Sequence, residues 1–291
     1  MKEYHTLLVL IILRNKHHSK APLNDLQGKA WVKSTKSWFV LNPKPRSKNQ
    51  VVHPAKYPEE LVAQFVRFFT REEAWVLDPF AGIGSTLIAC KELNRNSVGI
   101  ELNHDYVRLG LAQLEKTSGN GTASFLAGDA RQTQECLSNA LGGDVPLFDF
   151  VMTSPPYWNM LRKSRGGNDT TQKERAEVGL DLYYSNQESD VGNLESYNAY
   201  IETIGSIFDD IRGLLRDGAY LVLVAQNMRD IDGEMKPIAW DLARRLSKTY
   251  CLRQEMIWCQ DNKRLGCWGY PTTYVSNVHH HYCLVLQKAP H

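Results

Sequence analysis

Val76-Leu77-Asp78-Pro79-Phe80-Ala81-Gly82-Ile83-Gly84-Ser85-Thr86 sets G-x-G between a short apolar strand (74–77) and a helix (86–93). Glycines at such a junction let the backbone turn tightly and come close to a ligand. Upstream, Pro58 opens a helix whose Leu61, Val62, Phe65, Val66 and Phe69 form one apolar face. Downstream, strands are expected at 97–101, 124–127 and Phe148–Thr153. A helix between the first two starts near Asn103, which can cap it, and turns Val107, Leu111 and Leu114 inward. Then come a long amphipathic helix over 194–215, closed by Arg216-Asp217-Gly218, and a buried strand over 219–225. A helix over 237–247 and strands over 253–259 and 282–286 complete the pattern. Alternating strands and helices predict an α/β fold with a doubly wound, mostly parallel sheet. Ligands in such folds sit beyond the carboxyl ends of the strands.

Two acidic residues mark that edge. Asp78 ends the strand before the glycine turn, and Glu101 ends the next, where a carboxylate can accept from two ribose hydroxyls. Leu87 stands where a dinucleotide fingerprint has its third glycine, and no G-x-x-x-x-G-K-[ST] pattern occurs. A ligand without phosphates is therefore favoured. S-adenosylmethionine fits, as an adenosine joined to an amino acid.

The hexapeptide Thr153-Ser154-Pro155-Pro156-Tyr157-Trp158 follows another strand and so reaches the same edge. Two prolines fix the backbone and withhold their amide hydrogens, leaving carbonyl acceptors with a set direction. Ser154 can accept or donate, and Tyr157 offers a flat face to a planar ring. A heterocycle with an exocyclic amine would match this arrangement.

Together, Asp78-Pro79-Phe80-Ala81-Gly82-Ile83-Gly84 and Ser154-Pro155-Pro156-Tyr157 resemble the paired signatures of the amino-methylating DNA methyltransferases. His53-Pro54-Ala55-Lys56-Tyr57-Pro58-Glu59 resembles that family's motif supporting the methionine end of the cofactor. Gly99-Ile100-Glu101 and Gly128-Asp129-Ala130 resemble its ribose and adenine motifs, and residues 281–286 its last strand. The resemblance runs from about residue 50 to 287 and implies a Rossmann-like S-adenosylmethionine-dependent fold. It implies cofactor contacts at His53, Pro54, Ala55, Tyr57, Asp78, Pro79, Phe80, Gly82, Gly84, Thr86, Glu101, Asp129 and Ala130. It implies catalysis by Ser154, Pro155, Pro156 and Tyr157 on a base flipped out of duplex DNA. Serine before Pro-Pro-Tyr is typical of cytosine-N4 enzymes in this family. Adenine-N6 methylation, an RNA base and an inactive DNA-binding subunit are the alternatives. Carbon-5 methylation would need a cysteine after a proline, and none of the six cysteines has one.

Composition agrees with a folded enzyme. The 291 residues are 43% hydrophobic and 23% charged, with net charge +2, so any nucleic acid must be held by a local basic surface. Between Leu26 and Pro58 stand seven basic residues and no acidic one, interleaved with Trp31, Trp38 and Phe39. This reads as an N-terminal extension (1–50) ending in a basic linker with Lys44, Arg46 and Lys48, ahead of a catalytic domain (51–291). Two loops, 159–192 and 260–277, are expected to touch DNA through Arg162, Lys163, Arg165, Lys263 and Arg264, with Trp158 helping Tyr157 at the flipped base. No two cysteines have C-x-x-C spacing, no metal is expected at His279-His280-His281, and the apolar run 7–13 is too short to span a membrane. A cytoplasmic enzyme acting on double-stranded DNA is the expectation, with a companion restriction endonuclease encoded nearby.

Overall fold

The computed structural model describes residues 22–43, 57–158, 190–230, 233–263, 265–267 and 269–289. Its centre is an eight-stranded sheet in the order β1-β9-β10-β6-β5-β2-β3-β4. These strands are β1 (Trp38–Val40), β2 (Trp75–Asp78), β3 (Asn96–Glu101), β4 (Ala123–Ala127), β5 (Phe148–Thr153), β6 (Leu215–Ala225), β9 (Cys251–Cys259) and β10 (His280–Gln287). β10 alone among them runs antiparallel, wedged between β6 and β9. A two-stranded ribbon, β7 (Met228–Arg229) with β8 (Met235–Lys236), follows β6. This is the doubly wound, mostly parallel α/β sheet that the alternation of strands and helices predicts.

Both faces of the sheet are covered, which is why its central strands are continuously apolar. Leu221 and Leu223 of β6 pack with Ile204 and Phe208 of α6 (Tyr197–Ile211) and Leu242 of α7 (Ile238–Leu246). Val222 and Val224 point the other way, towards Leu61 and Phe65 of α2 (Glu59–Phe69) and Ala89 of α3 (Ser85–Glu92). Pro58 precedes α2, whose five expected apolar residues are all buried. Asn103 caps α4 (His104–Leu114) by accepting from the Asp105 amide. Val107 and Leu114 of α4 are buried, but Leu111 is 43% exposed, because the helix meets the sheet along a stripe narrower than the expected one.

The expected helix over 194–215 is shorter. α6 ends at Ile211, tightens into a 3-10 turn over Arg212–Leu214, and gives way to β6 at Leu215. Arg216-Asp217-Gly218 lies inside the strand. Leu215 is buried opposite Phe148, and Arg216 pairs with Asp149 at 3.0 Å, so local turn chemistry yields to pairing with β5.

The N-terminal segment also differs from a detached arm. Residues 22–43 carry α1 (Gly28–Ser34) and β1, and β1 pairs in parallel with β9 at Trp38↔Ile257 through Val40↔Cys259. Phe39 meets Phe65 of α2 edge-on, and the Trp258 indole donates to the Leu41 carbonyl at 2.8 Å. Three consecutive β-favouring residues next to an open sheet edge explain the attachment. The apolar run at 7–13 lies outside the described residues. Among those described, no helix is long and apolar enough to cross a membrane.

Candidate active site

The strand ends of β2, β3, β4 and β5 converge at one edge, and the glycine turn rises from it. Gly82 and Gly84 both have positive φ, 56° and 85°, in the left-handed region where a side chain is costly. A Cβ at Gly84 would also sit 3.2 Å from the Phe125 ring. The turn is pinned to its neighbour by the Ala81 amide, which donates to the Ile100 carbonyl at 2.9 Å.

Leu87, in place of a third glycine, is explained across the contact. Gly99 of β3 lies directly beneath α3, and a Cβ there would come within 2.5 Å of Leu87 Cδ1. The strand supplies the missing side chain's space, so the helix can keep a leucine. Helix and strand still approach closely, with the glycine moved to the opposite partner.

Glu101 stands at the end of β3. Its Oε2 accepts from the Gly82 amide at 2.9 Å and its Oε1 from the Asn103 amide at 2.8 Å. Burial pushes its carboxyl up to about 7, against the backbone donors that pull the other way. One carboxylate thus spans the glycine turn and the start of α4, where a ribose diol would bridge. Asp129 follows β4 and is held by Arg131 through its side chain and amide. Ala130 is buried in the core beside it. The turn, the two-acceptor carboxylate and the small residues form a cradle that fits an adenosine.

Asp78 has another place than the pocket surface. It is 0% exposed, and four donors of the protein fill its two oxygens. Oδ1 takes the Phe80 amide at 3.0 Å and Thr153 Oγ1 at 2.6 Å. Oδ2 takes Tyr57 Oη at 2.8 Å and Thr86 Oγ1 at 2.5 Å. Asp78, Tyr57 and Thr86, all expected at the cofactor, meet one another through their side chains. Burial raises the Asp78 carboxyl, and these hydrogen bonds act to lower it. Thr153 was missed in the sequence. Its place immediately before Ser154 was visible, but its meeting with Asp78 depends on β5 lying beside β2. Pro79 is buried and Phe80 half-buried at the base of the turn.

Ser154 immediately follows β5; its hydroxyl donates to the Val224 carbonyl of β6 at 3.1 Å and is also a hydrogen-bond neighbour of the Tyr157 hydroxyl. Among the expected proline-stretch acceptors, Pro156 is already occupied: its carbonyl takes the Tyr200 hydroxyl at 3.0 Å. Tyr157 differs from an open stacking face. It is 7% exposed, with its hydroxyl 3.3 Å from His281 Nδ1, and burial pushes it up to about 12. His281 is stacked on Trp258 and held down to about 3, by burial first and by nearby Lys263 and His280. Trp158, expected at the DNA, lies in the core. It is 6% exposed, its indole donates to the Leu194 carbonyl at 2.8 Å, and Tyr197 meets it edge-on.

Lys263 lies on the exposed loop after β9. Asn277 clasps Gly266 at the base of that loop, through two hydrogen bonds of 2.8 and 2.9 Å, while Tyr270 and Tyr274 project outward. The expected contacts His53, Pro54, Ala55, Lys44, Arg46, Lys48, Arg162, Lys163, Arg165 and Arg264 lie outside the described residues. Among the described residues, no group of three or more His, Cys, Asp or Glu is placed to hold a metal ion.

A family model described as DNA methylase, of the N6/N4 type, matches residues 8–113. That range holds Tyr57, Asp78, the glycine turn and Glu101, and stops before Ser154. The Type II methyltransferase M.HindIII of Haemophilus influenzae is 39% identical over 75 residues, 26% of this chain and 24% of its own. M.HpaI of Haemophilus parainfluenzae is 36% identical over 69 residues, 24% and 22% of the two chains. M.BglII of Bacillus subtilis is 32% identical over 93 residues, 32% and 26%. The match thus spans about a quarter of the length of these curated relatives. Among solved structures, TrmN from Thermus thermophilus is similar with a TM-score of 0.46 and 15% identity, over 79% of this chain and 48% of that one.

Proposed function

We propose that the chain, which over residues 8–113 is similar to DNA methylases of the N6/N4 type, uses S-adenosylmethionine to methylate the exocyclic N4 amine of a cytosine flipped out of double-stranded DNA. The observation carrying this reading is the place of Ser154 immediately after β5, with its hydroxyl on the Val224 carbonyl and beside the Tyr157 hydroxyl. A hydroxyl oxygen so placed can accept from an amine hydrogen.

When bound, S-adenosylmethionine supplies a methyl group on an electrophilic sulfonium. Glu101 would take the ribose hydroxyls, the Gly82–Gly84 turn would let the backbone approach, and the Asp129–Ala130 segment would lie near the adenine. Ser154 Oγ and the Pro155 carbonyl would accept the two amine hydrogens and favour a pyramidal nitrogen, freeing a lone pair otherwise conjugated into the ring. Holding both reactants in line replaces a bimolecular encounter, which supplies much of such an acceleration.

In this reading Tyr157 is the stacking face for the extruded base, and its cover is displaced as the base enters. Basic residues flanking the edge, Lys263 among them, would meet phosphates. The setting is restriction–modification, with a partner endonuclease. Purified protein should transfer label from the cofactor to duplex DNA in preference to RNA, and nucleoside mass spectrometry should find 4-methylcytosine. 6-Methyladenine would move the assignment to adenine, and labelled RNA with unlabelled DNA would overturn the substrate class.

A further inference from the structure

Asp78 joins four pieces of chain at one buried carboxylate. Tyr57 comes from the segment before α2, Phe80 from the glycine turn, Thr86 from the first turn of α3, and Thr153 from the end of β5 beside Ser154. Each oxygen has two donors, so the carboxylate has one orientation in which all four bonds are made. No Lys or Arg pairs with it among the described residues, and it is fully buried. Its charge is therefore balanced by these short, directional bonds, and losing any one leaves a buried charge under-solvated. Tyr57 Oη and Thr86 Oγ1 are also neighbours at 2.5 Å, both turned to the same carboxylate oxygen. Ser85 Oγ adds a strut by donating to the Tyr57 carbonyl at 2.9 Å.

We propose that Asp78 is a positioning residue that couples occupancy of the cofactor pocket to the placement of Ser154. The inference rests on the function proposed above. Thr86 and Tyr57 sense the glycine turn, and Thr153 transmits its position to the next residue, Ser154. The coupling runs both ways, because linkage between two sites is reciprocal. Thr153 does not belong to the nucleoside cradle, yet its loss loosens the cradle. Thr86 does not belong to the amine site, yet its loss misplaces Ser154.

The test uses the full chain with Thr153→Val, Thr86→Val and the double variant, each checked by thermal melting. Calorimetry gives the dissociation constant for S-adenosylmethionine without DNA. Single-turnover methyl transfer at saturating cofactor and DNA gives the chemical step. We expect Thr153→Val to weaken cofactor binding about fivefold or more, the lower end of usual coupling between sites. Thr86→Val should slow single-turnover transfer by a similar factor. The double variant should lose less than the product of the two, as expected of residues sharing one partner. Thr153→Ser, which keeps the hydroxyl, should restore cofactor affinity. The proposal is overturned if Thr153→Val changes only transfer, Thr86→Val changes only cofactor affinity, and the double variant shows the simple product. The calorimetric arm needs no nucleic acid, so a protein that binds cofactor and methylates no DNA fails the function reading separately from the coupling.

Discussion

Glu101 sets the clearest pH signature in the molecule. It accepts hydroxyl hydrogens well only as a carboxylate, and burial holds its carboxyl up to about 7. Affinity for S-adenosylmethionine should therefore tighten as pH rises from about 5.5 to 8 and then level off. Glu101→Gln should flatten that dependence, as titration calorimetry across the range would show. The same raised value has an opposite sign for the free fold. Its contribution is present below 4.5 and is lost as pH climbs through about 7, so added cofactor should raise the melting temperature most above neutrality. Ser154→Ala should lower turnover roughly 10²-fold, the scale for removing one oriented hydrogen-bonding group at a reacting centre. Its cofactor affinity should change little, since Ser154 bonds to Val224 and not to the Asp78 network; steady-state and equilibrium measurements on one preparation separate the two. Glu101 and Ser154 were legible because each stands at the end of a recognisable strand. The engagement of Asp78 was not, because its partners are 21, 8 and 75 residues away and only the sheet order brings them together.

Packing of α3 on β3 is the element-scale feature with the sharpest consequence. A methyl at Gly99 would come within 2.5 Å of Leu87 and 2.9 Å of Ala81. Gly99→Ala should cost about 1–3 kcal/mol in denaturant unfolding, the usual range for overpacking a filled core. Adding Leu87→Ala should recover part of that loss, whereas an additive double variant would show that the two residues do not compete for one space. Periodicity placed the apolar face of α2 well, because five residues at helical spacing leave little choice of side. It overran at 194–215, where Leu215 suits a helix or a strand alike and pairing with Phe148 decides. It overran again at Leu111, which continues the helical pattern but finds no neighbour to cover it.

Across the described residues, the sheet order brings the glycine turn, Glu101 and Ser154 to one edge and leaves β9 dependent on β1 for its outer partner. Removing residues 1–43 would strip that partner, the Leu41 acceptor of Trp258 and the Asn42–Asp261 hydrogen bonds. The shortened chain should melt earlier and associate with rising concentration through the uncovered edge, visible by size-exclusion chromatography. An unchanged melting temperature and a monomer at all concentrations would contradict that account. Within this basic segment, Trp31 and Phe39 help fasten it through Phe68 and Phe65 of α2. The α/β alternation and both edge motifs were readable from local patterns, whereas the covering of Tyr157 and the burial of Trp158 arise from contacts with His281, Leu194 and Tyr197 far along the chain. The central claim is that this edge methylates a cytosine amine in DNA. Methylation-aware sequencing of DNA from cells expressing the chain tests it most directly, against cells expressing Ser154→Ala. The account predicts 4-methylcytosine at one recurring short sequence, lost with Ser154→Ala. DNA without any new modified base, from cells holding the folded protein, would contradict it.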